Sequence, residues 1–313
     1  MTEEKLEMPG ELLKKTSVIV CTVDRFQALD RCLASLRPFQ AAGVEVVVVD
    51  NGPHHTAVQE IARRHEARVA LESRSGAGNA GNTGIHASRG KFVAFIDDDA
   101  HADRNWMPRL LAPFAEPQVD AVVGSIWAEV VDDAVSQFFD RLYLAPLPKS
   151  RLVLSAARDE DPFPLRAAMS GTRSNMAIRR EAFERVGGFD VRFARGRRIG
   201  GGGEAEFLLR LLRGGGEIVV EPEARIFHRH PTEWRAVRRW AFHSGCAHTA
   251  ILTKYFLQEP SLRTAIFRYV ASRVVRRKEP APPLSSRVRI PRLPFLIGSL
   301  YGPLAFLLSS GDE

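Results

Sequence analysis

A regular alternation of short apolar runs and helical segments over the first hundred residues most constrains the fold of this chain. Segments with helical periodicity lie between the first three runs, at 25–36 and 56–65. Continuous apolar runs are typical of strands buried on both faces, and strands that alternate with helices form parallel sheets. The sequence therefore predicts an α/β fold with a doubly wound, mostly parallel sheet covered by helices on both faces. The apolar runs are SVIVCT (17–22), VEVVVVDNG (44–52), ARVALES (67–73) and KFVAFID (91–97).

The fourth apolar run ends in three adjacent carboxylates, Asp97, Asp98 and Asp99. Carboxylates gathered at the edge of a sheet repel one another unless a cation compensates them. Two oxygen donors one residue apart suit Mg²⁺ or Mn²⁺ that already carries the phosphates of a nucleotide, because such ions keep few protein ligands. An isolated triplet of this kind is more often only an acidic turn. The metal site is therefore predicted only together with the motifs around it.

A glycine-rich segment, GAGNAGNTG (76–84), precedes the acidic strand and contains a literal GxGxxG. With Asp97 about twenty residues further on, it imitates the dinucleotide-binding fingerprint. However, residues 72–75 separate the glycines from their strand, and two strands precede a motif that usually opens its domain. We therefore predict a loop that opens a short helix to Arg89 and whose polar groups approach a phosphate or a sugar. The side chains expected to contribute are Arg74, Asn79 and Asn82.

Composition limits the classes of function. The 313 residues, 45% hydrophobic and 26% charged, suffice for one large α/β domain with an appendage. The net charge of +7 suits an anionic ligand or an anionic membrane surface. No basic stripe interleaved with aromatic residues is present, so we expect no nucleic acid partner. Cys21, Cys32 and Cys246 form no CxxC pair and the N-terminus does not resemble a signal peptide, which predicts a cytoplasmic location, with membrane association as the alternative.

The C-terminal part follows a different pattern. From Thr232 to about Arg277 the sequence is helical, with one break at Pro260, and KEPAPPLSS (278–286) is typical of a linker. The apolar stretch Leu293–Leu308 contains two prolines and two glycines and is shorter than the roughly 20 uninterrupted apolar residues of a spanning helix. We predict that this stretch docks on the core or on a partner. Because basic segments precede it, peripheral membrane contact and a homodimer are the alternatives.

Five blocks, in order, resemble one enzyme family. SVIVCTVDR, EVVVVDNG and RSGAGNAGNTGIHASRGKFVAFIDDDA are similar to the nucleotide-binding half of a GT-A glycosyltransferase of the family 2 type. SGTRSNMAIRREAFERVGGFD and GGGGEAEFLLRLLRGGGEIVVEPEARIFHRH continue the resemblance to about residue 231. It implies a GT-A, Rossmann-like fold followed by a helical C-terminal extension.

The resemblance also implies the domain boundaries. We expect a flexible N-terminal arm over 1–15 and a GT-A catalytic domain over 16–231. The catalytic domain divides into a nucleotide-sugar-binding half (16–127) and an acceptor-side half (128–231). The helical extension then occupies 232–313.

The same resemblance assigns roles to single residues. In this family the loop after the first strand and the acid after the second hold the nucleoside, which implies donor contacts for Thr22, Asp24, Arg25 and Asp50. An acidic side chain that accepts from a base N–H or a ribose hydroxyl is chemically sensible. A turn cap is the alternative for Asp50.

The acidic triplet matches the DxD motif of the family. Asp99 is then expected to bind a divalent ion, Mn²⁺ or Mg²⁺, that bridges the diphosphate, and Asp97 to contact the ribose or the metal. Asp98, between them, is expected to contact the donor. His228 matches a histidine that completes the metal site in many members, although His230 could be the ligand instead.

One departure concerns the catalytic base. The family usually carries Glu-Asp at the start of the acceptor-side helix, whereas this chain has Glu204, Ala205 and Glu206. Ala205 cannot take a proton. The two glutamates lie roughly 200° apart around a helix and cannot share one face. We predict Glu204 as the base, with Glu206 as the alternative.

The function implied is transfer of a sugar from a UDP-, dTDP- or GDP-sugar to an acceptor hydroxyl, with inversion. The acceptor is expected to be a small molecule, a lipid-linked compound or a polysaccharide. Three alternatives remain at this point. They are a nucleotidyltransferase, a non-catalytic nucleotide-sugar-binding protein and an NAD-dependent oxidoreductase suggested by GAGNAG.

Overall fold

The computed structural model of the chain describes residues 10–144, 147–156, 172–275 and 290–309. Residues 1–9 of the predicted arm and the predicted linker at 278–286 lie outside these ranges. Gly10–Lys14, which we predicted as part of the flexible arm, forms a short helix, α1. The difference has a simple cause: Leu13 is fully buried in the core beneath the sheet, and this burial holds the segment in place.

The described strands form one nine-stranded sheet in the order β3-β2-β1-β4-β8-β6-β9-β5, with β7 paired to β9. Strands β1 to β4 are parallel to one another, as predicted. Strand β8 runs antiparallel between β4 and β6, and β5 is antiparallel to β9. The strands are β1 (Thr16–Thr22), β2 (Glu45–Asp50), β3 (Arg68–Leu71), β4 (Phe92–Asp97), β5 (Ala100–Ala102), β6 (Val119–Ala128), β7 (Leu152–Ser155), β8 (Asn175–Arg179) and β9 (Glu217–His228).

Helices cover both faces of the sheet. Those of the first half are α2 (Phe26–Ala41), α3 (His55–Arg64), α4 (Ala77–Ala87) and α5 (Trp106–Leu111). Those of the second half are α6 (Ala134–Leu144), α7 (Arg180–Val186) and α8 (Gly203–Arg213). The C-terminal extension contains α9 (Trp234–Gln258), α10 (Arg263–Val275) and α11 (Arg292–Leu308). The helical extension is therefore confirmed.

The core has two layers because successive strand residues point to opposite faces of the sheet. On one face Val18 and Val20 pack with Leu33 of α2 and Trp106 of α5. On the other face Ile19 of the same strand packs in a cluster that includes residues of α4, α7, α8, α9 and α11. The C-terminal helices therefore belong to the core on this face of the sheet.

In the segment 76–84, which we predicted as a loop, every residue after Gly76 belongs to α4. Its glycines serve close packing of the helix on the sheet and on the segment 189–194. A Cβ on Gly84 would lie 2.5 Å from Cγ2 of Ile19, and one on Gly78 would lie 3.2 Å from Cα of Val191. Tertiary packing therefore outweighs the low helix propensity of glycine.

Helix α11 packs along α9 through small residues. A Cβ on Gly298 would lie 1.9 Å from the carbonyl oxygen of Phe242, and one on Gly302 would lie 2.4 Å from that of Cys246. Pro294 does not break the helix because it lies in the first turn, where no intrahelical hydrogen bond is lost. None of the described helices is long and apolar enough to cross a bilayer.

Candidate active site

Three parallel strands end at the same edge of the sheet. Thr22 of β1 lies in register with Asp50 of β2, and Cys21 of β1 lies in register with Asp97 of β4. Because parallel strands share the direction of their carboxyl ends, these side chains gather in one crevice, where ligands bind in open α/β sheets. The structure therefore brings the predicted nucleoside residues and the acidic triplet together.

The chain turns between β4 and β5, and because of this turn the side chains of Asp98 and Asp99 have different neighbours. Asp98 is buried and accepts hydrogen bonds from Thr22 Oγ1 (2.7 Å) and from an Arg25 guanidinium nitrogen (3.1 Å). The same guanidinium also contacts the Asp99 carboxylate. Arg25 therefore joins the loop after β1 to both acids.

Strand β5 brings Asp99 to the end of β9. Ala100 lies in register with His228, and Nε2 of His228 is 3.0 Å from Oδ1 of Asp99. One donor atom from each of Asp97, Asp99 and His228 lies within 4.8 Å of the others. Two carboxylate oxygens and one imidazole nitrogen are a donor set suited to Mn²⁺ or Mg²⁺.

The electrostatics of the triplet differ from residue to residue. Burial raises the pKa of Asp98 to about 6, against the hydrogen bond from Thr22 and the charge of Arg25. Burial also acts to raise the pKa of Asp99, but the nearby His228 and Arg25 outweigh it and lower that pKa below its ordinary value. Asp99 is thus held as an anion, which a cation ligand requires.

The two histidines, His228 and His230, differ in the direction of their pKa shifts and in their hydrogen-bond partners. Burial acts to lower the pKa of His228, but the Asp99 carboxylate outweighs it and raises that pKa. Burial lowers the pKa of His230 to about 4, and neither of its ring nitrogens has a hydrogen-bond partner among the described residues. The His230 ring packs beside Tyr143 and Phe139, 5.5 Å from the His228 ring. His228 also keeps a buried, unpaired Nδ1, so this side of the site has polar atoms that an ion or a water would satisfy.

Glu204 and Glu206 lie in the first turn of α8 and face different environments. Glu206 is fully buried, and both of its oxygens lie 2.9 Å from Nε of Arg210. Lys254 of α9 donates a further hydrogen bond to it at 2.7 Å. Glu204 is half-buried, and its charge reaches Tyr143 together with those of Asp97 and Asp99. Glu204 and the acidic triplet therefore lie within electrostatic range of the same tyrosine.

Two of the residues predicted to hold the nucleoside, Asp50 and Asp24, each lie next to a histidine. Asp50 is fully buried, receives a hydrogen bond from the Gly52 amide at 3.1 Å and lies 2.6 Å from Nδ1 of His55. The backbone of Asp24 is left-handed, with φ of 54°, and its Oδ1 lies 2.9 Å from Nδ1 of His54. Aspartate tolerates this conformation better than most residues.

The residues around α4 that we predicted to contact the donor form hydrogen bonds within the fold. Arg74 forms a bidentate ion pair with Glu72, and the buried Asn79 donates to the carbonyl of Ser75. The Asn82 amide donates to the carbonyl of Phe189 at 3.0 Å, and its oxygen accepts from the Phe189 N–H at 2.8 Å. Both ends of the Asn82 amide therefore already have a partner in the fold, and the donor contacts of Arg74, Asn79 and Asn82 stay predictions.

The fold brings to the site three further residues to which we assigned no role from the sequence. Ser174, just before β8, donates a hydrogen bond to the Asp97 carboxylate. Tyr143 of α6 is next to His230, and burial raises its pKa to about 12, against the opposing charge of Arg195. The charge of Arg195 also reaches His228. SGTRSN gave a signal for Ser174 through the resemblance, whereas Tyr143 and Arg195 lay in segments without a motif.

Comparison with known proteins gives the same fold and family. Residues 17–187, more than half of the chain, match the family model described as Glycosyl transferase family 2. The mannosyltransferase PcManGT from Pyrobaculum calidifontis, solved in complex with GDP-Man and Mn²⁺, is similar with a TM-score of 0.55 and 17% identity. The similarity covers 96% of this chain and 88% of that one.

The similarity to two curated relatives covers more of the chain than the family model does. The pre-mycofactocin glycosyltransferase of Mycobacterium tuberculosis is 27% identical over 243 residues, which cover 76% of this chain and 48% of that protein. The chain therefore spans about half the length of this relative. The succinoglycan biosynthesis protein ExoM of Rhizobium meliloti is 28% identical over 259 residues, 79% of this chain and 78% of that protein. With the GT-A fold and the predicted family both confirmed, the chain belongs to glycosyl transferase family 2.

Proposed function

We propose that the chain transfers a glycosyl group from a nucleoside diphosphate sugar to an acceptor hydroxyl, with inversion and with a divalent cation in the donor site. The observation that carries the proposal is the convergence of Asp97, Asp99 and His228 at the edge where the β1 and β2 strands also end. A cation there, facing the predicted nucleoside crevice, suits a diphosphate.

Asp97, Asp99 and His228 are the residues that would hold Mn²⁺ or Mg²⁺. The donor set fits, and the buried, unpaired Nδ1 of His228 is a further polar atom that the site leaves to be satisfied. When bound, the cation would neutralise charge that develops on the leaving diphosphate. Ser174 orients Asp97, and Arg25 orients Asp98 and Asp99. The donor in PcManGT, GDP-Man with Mn²⁺, supports this arrangement by analogy of fold.

Glu204 is the proposed general base. It takes the proton of the acceptor hydroxyl while the acceptor oxygen bonds to the anomeric carbon and the bond from that carbon to the diphosphate breaks. Attack from the face opposite the leaving group gives inversion. Glu206 does not suit this role because Arg210 and Lys254 already neutralise its charge inside the core. A positioned base contributes about 10²- to 10⁴-fold to the rate.

The nucleoside is proposed to lie against Thr22, Asp24, Arg25 and Asp50. Asp24 and Asp50 offer carboxylate oxygens to a base N–H or a ribose hydroxyl, and His54 and His55 hold these carboxylates in place. Asp98 anchors Thr22 and Arg25 and so shapes the floor of the crevice. The glycines of GAGNAG pack α4 on the sheet, so they give no support to the dinucleotide-binding alternative.

A donor panel tests the proposal. The purified chain is incubated with UDP-, dTDP- and GDP-sugars, with and without Mn²⁺, and the melting temperature and the release of free nucleoside diphosphate are measured. A donor at 100 times its dissociation constant stabilises the folded state by about 2.7 kcal/mol. We expect one nucleotide class to raise the melting temperature only with the cation present. A complete absence of metal-dependent shifts would contradict the proposed donor.

The nucleotidyltransferase alternative is tested in the same format. A nucleotidyltransferase would release pyrophosphate from a nucleoside triphosphate in the presence of a sugar phosphate. We expect none from this chain.

A further inference from the structure

The outer face of α11 is the largest exposed apolar feature of the described C-terminal helices. Of its exposed residues, only Arg292 is polar. Leu300 is 82% exposed and Leu293 is 69% exposed, which is unusual for leucine. The exposed apolar residues of this helix, here called the α11 stripe, are Leu293, Leu296, Ile297, Leu300, Leu304, Leu307 and Leu308.

The stripe is continuous along one side of the helix. Its members are spaced by one, three or four residues, which places them within a sector about 120° wide at 100° per residue. The stripe extends over fifteen residue steps, or about 22 Å. Residues 290–309 contain no aspartate or glutamate. Contiguous exposed apolar surface of this kind marks an interaction site.

The opposite side of α11 is fixed to the protein, so the stripe has a defined orientation. Gly298 and Gly302 pack on α9, and Phe306 packs on Phe193, with Arg192 stacked over its ring at 4.8 Å. The stripe is therefore presented outward from a rigid helix pair. It is not the loose end of a flexible tail.

Positive charge borders one end of the stripe. Gly298 lies against Phe242 and Gly302 lies against Cys246, so α9 and α11 run in the same direction. The exposed Arg238 and Arg239 of α9 are therefore at the same end of the helix pair as Arg292. In addition, the sequence from Arg263 to Arg292 contains nine arginines and lysines and only one acidic residue.

We propose that the α11 stripe docks the protein on an anionic lipid bilayer, with α11 lying in the plane of the interface. An interfacial helix buries an apolar face in the region between headgroups and acyl chains, and neighbouring cationic side chains bind anionic headgroups. The exposed Trp234 at the start of α9 lies at the same end as the arginines, and tryptophan favours the headgroup level. Helix α11 is not one that could span the bilayer.

The combination of charge and apolar surface favours a bilayer over a second copy of the chain. A bilayer offers an apolar layer directly below an anionic one, which complements a leucine stripe bordered by arginines. A second copy would bring the same net charge of +7 toward this surface.

Co-sedimentation with vesicles tests the proposal and uses neither donor nor acceptor, so its outcome is independent of the proposed function. We expect binding to vesicles of phosphatidylcholine and phosphatidylglycerol, weaker binding to phosphatidylcholine alone, and weakening by salt. The double variant Leu296→Asp/Leu300→Asp should lower the affinity at least about tenfold. Arg238→Gln/Arg239→Gln should lower it about tenfold for the anionic vesicles only.

A matched control is available at the far edge of the sheet. Leu71 of β3 is 55% exposed, against 57% for Leu296, so Leu71→Asp introduces a similar charge at a similarly exposed leucine. It should leave vesicle binding unchanged. Equal loss in both variants, or no binding of the unmodified protein to anionic vesicles, would overturn the proposal. A dimer that the double leucine variant dissociates, without vesicle binding, would overturn it in favour of a second copy.

Discussion

Lys254 of α9 reaches across to α8 and places its ammonium group 2.7 Å from Oε1 of Glu206 and 2.8 Å from Oδ2 of Asp190. Both carboxylates and the lysine are largely buried. The C-terminal extension therefore supplies the charge that compensates an acid two residues from the proposed base. It is part of the hydrophobic core on the α8 face of the sheet.

Removing this ammonium group should destabilise the fold. Lys254→Met leaves two buried carboxylates with less compensation, and we expect the free energy of unfolding to fall by about 3 kcal/mol. Chemical denaturation measures it. Lys91→Met is the control, because Lys91 is half-exposed and lies 3.4 Å from the exposed Glu181, so its change should be below about 1 kcal/mol. Equal effects of the two substitutions would contradict the account.

Stability should depend on pH through Glu72. Hydrogen bonds from Arg74 and Thr83 lower the pKa of Glu72 from 4.5 to about 2. They outweigh burial, which acts to raise this pKa. A lowered pKa contributes stability above the unfolded value, and this contribution is lost as the pH falls toward the folded value. At neutral pH we expect the free energy of unfolding of the unmodified protein to be about 2 kcal/mol higher than that of the Glu72→Gln variant. This difference should disappear as the pH falls from about 5 to about 2. Denaturant unfolding across this range measures it, and the exposed Glu60→Gln should show no such dependence.

A side chain at Gly84 of α4 should destabilise the packing of this helix on the sheet. Gly84→Ala places a Cβ 2.5 Å from Ile19 and 3.0 Å from Val49, both of them core strand residues. We expect a loss of about 1–3 kcal/mol in spite of the better helix propensity of alanine. Gly10→Ala in α1 meets no atom within 4 Å and should be neutral or stabilising. A stable Gly84→Ala protein would contradict the packing role.

Ser174 should influence the cation through Asp97. Ser174→Ala removes the hydroxyl that donates to the Asp97 carboxylate, and the loss of such an orienting bond typically costs 10- to 100-fold in metal affinity. We expect about tenfold weaker Mn²⁺ activation with an unchanged melting temperature of the metal-free protein. Ser299→Ala in α11, whose hydroxyl donates to its own helix, is the control and should leave Mn²⁺ activation unchanged.

The parallel half of the fold was predictable because its signals are local. Runs such as EVVVVD identify buried strands, and the shared direction of parallel strands then places Thr22, Asp50 and Asp97 at one edge without further information. The C-terminal helices were equally visible from periodicity.

Other features depend on contacts that no local pattern reveals. The second half of the sheet contains both parallel and antiparallel strands. The antiparallel strands β8 and β5 place Ser174 beside Asp97 and Ala100 beside His228. The segment 76–84 contains too much glycine to suggest a helix, yet the approach to Ile19 and Val191 stabilises one. No local pattern shows that Asn82 bonds the backbone of Phe189, more than one hundred residues away, through both its NH₂ group and its oxygen.

The most direct test of the central claim compares Asp99→Ala with Glu204→Gln for donor affinity and turnover in one assay. We predict that Asp99→Ala abolishes Mn²⁺-dependent donor binding. Glu204→Gln should keep donor affinity within about twofold while turnover falls by at least about 100-fold. Full turnover by Glu204→Gln, or metal-dependent donor binding by Asp99→Ala, would contradict the account.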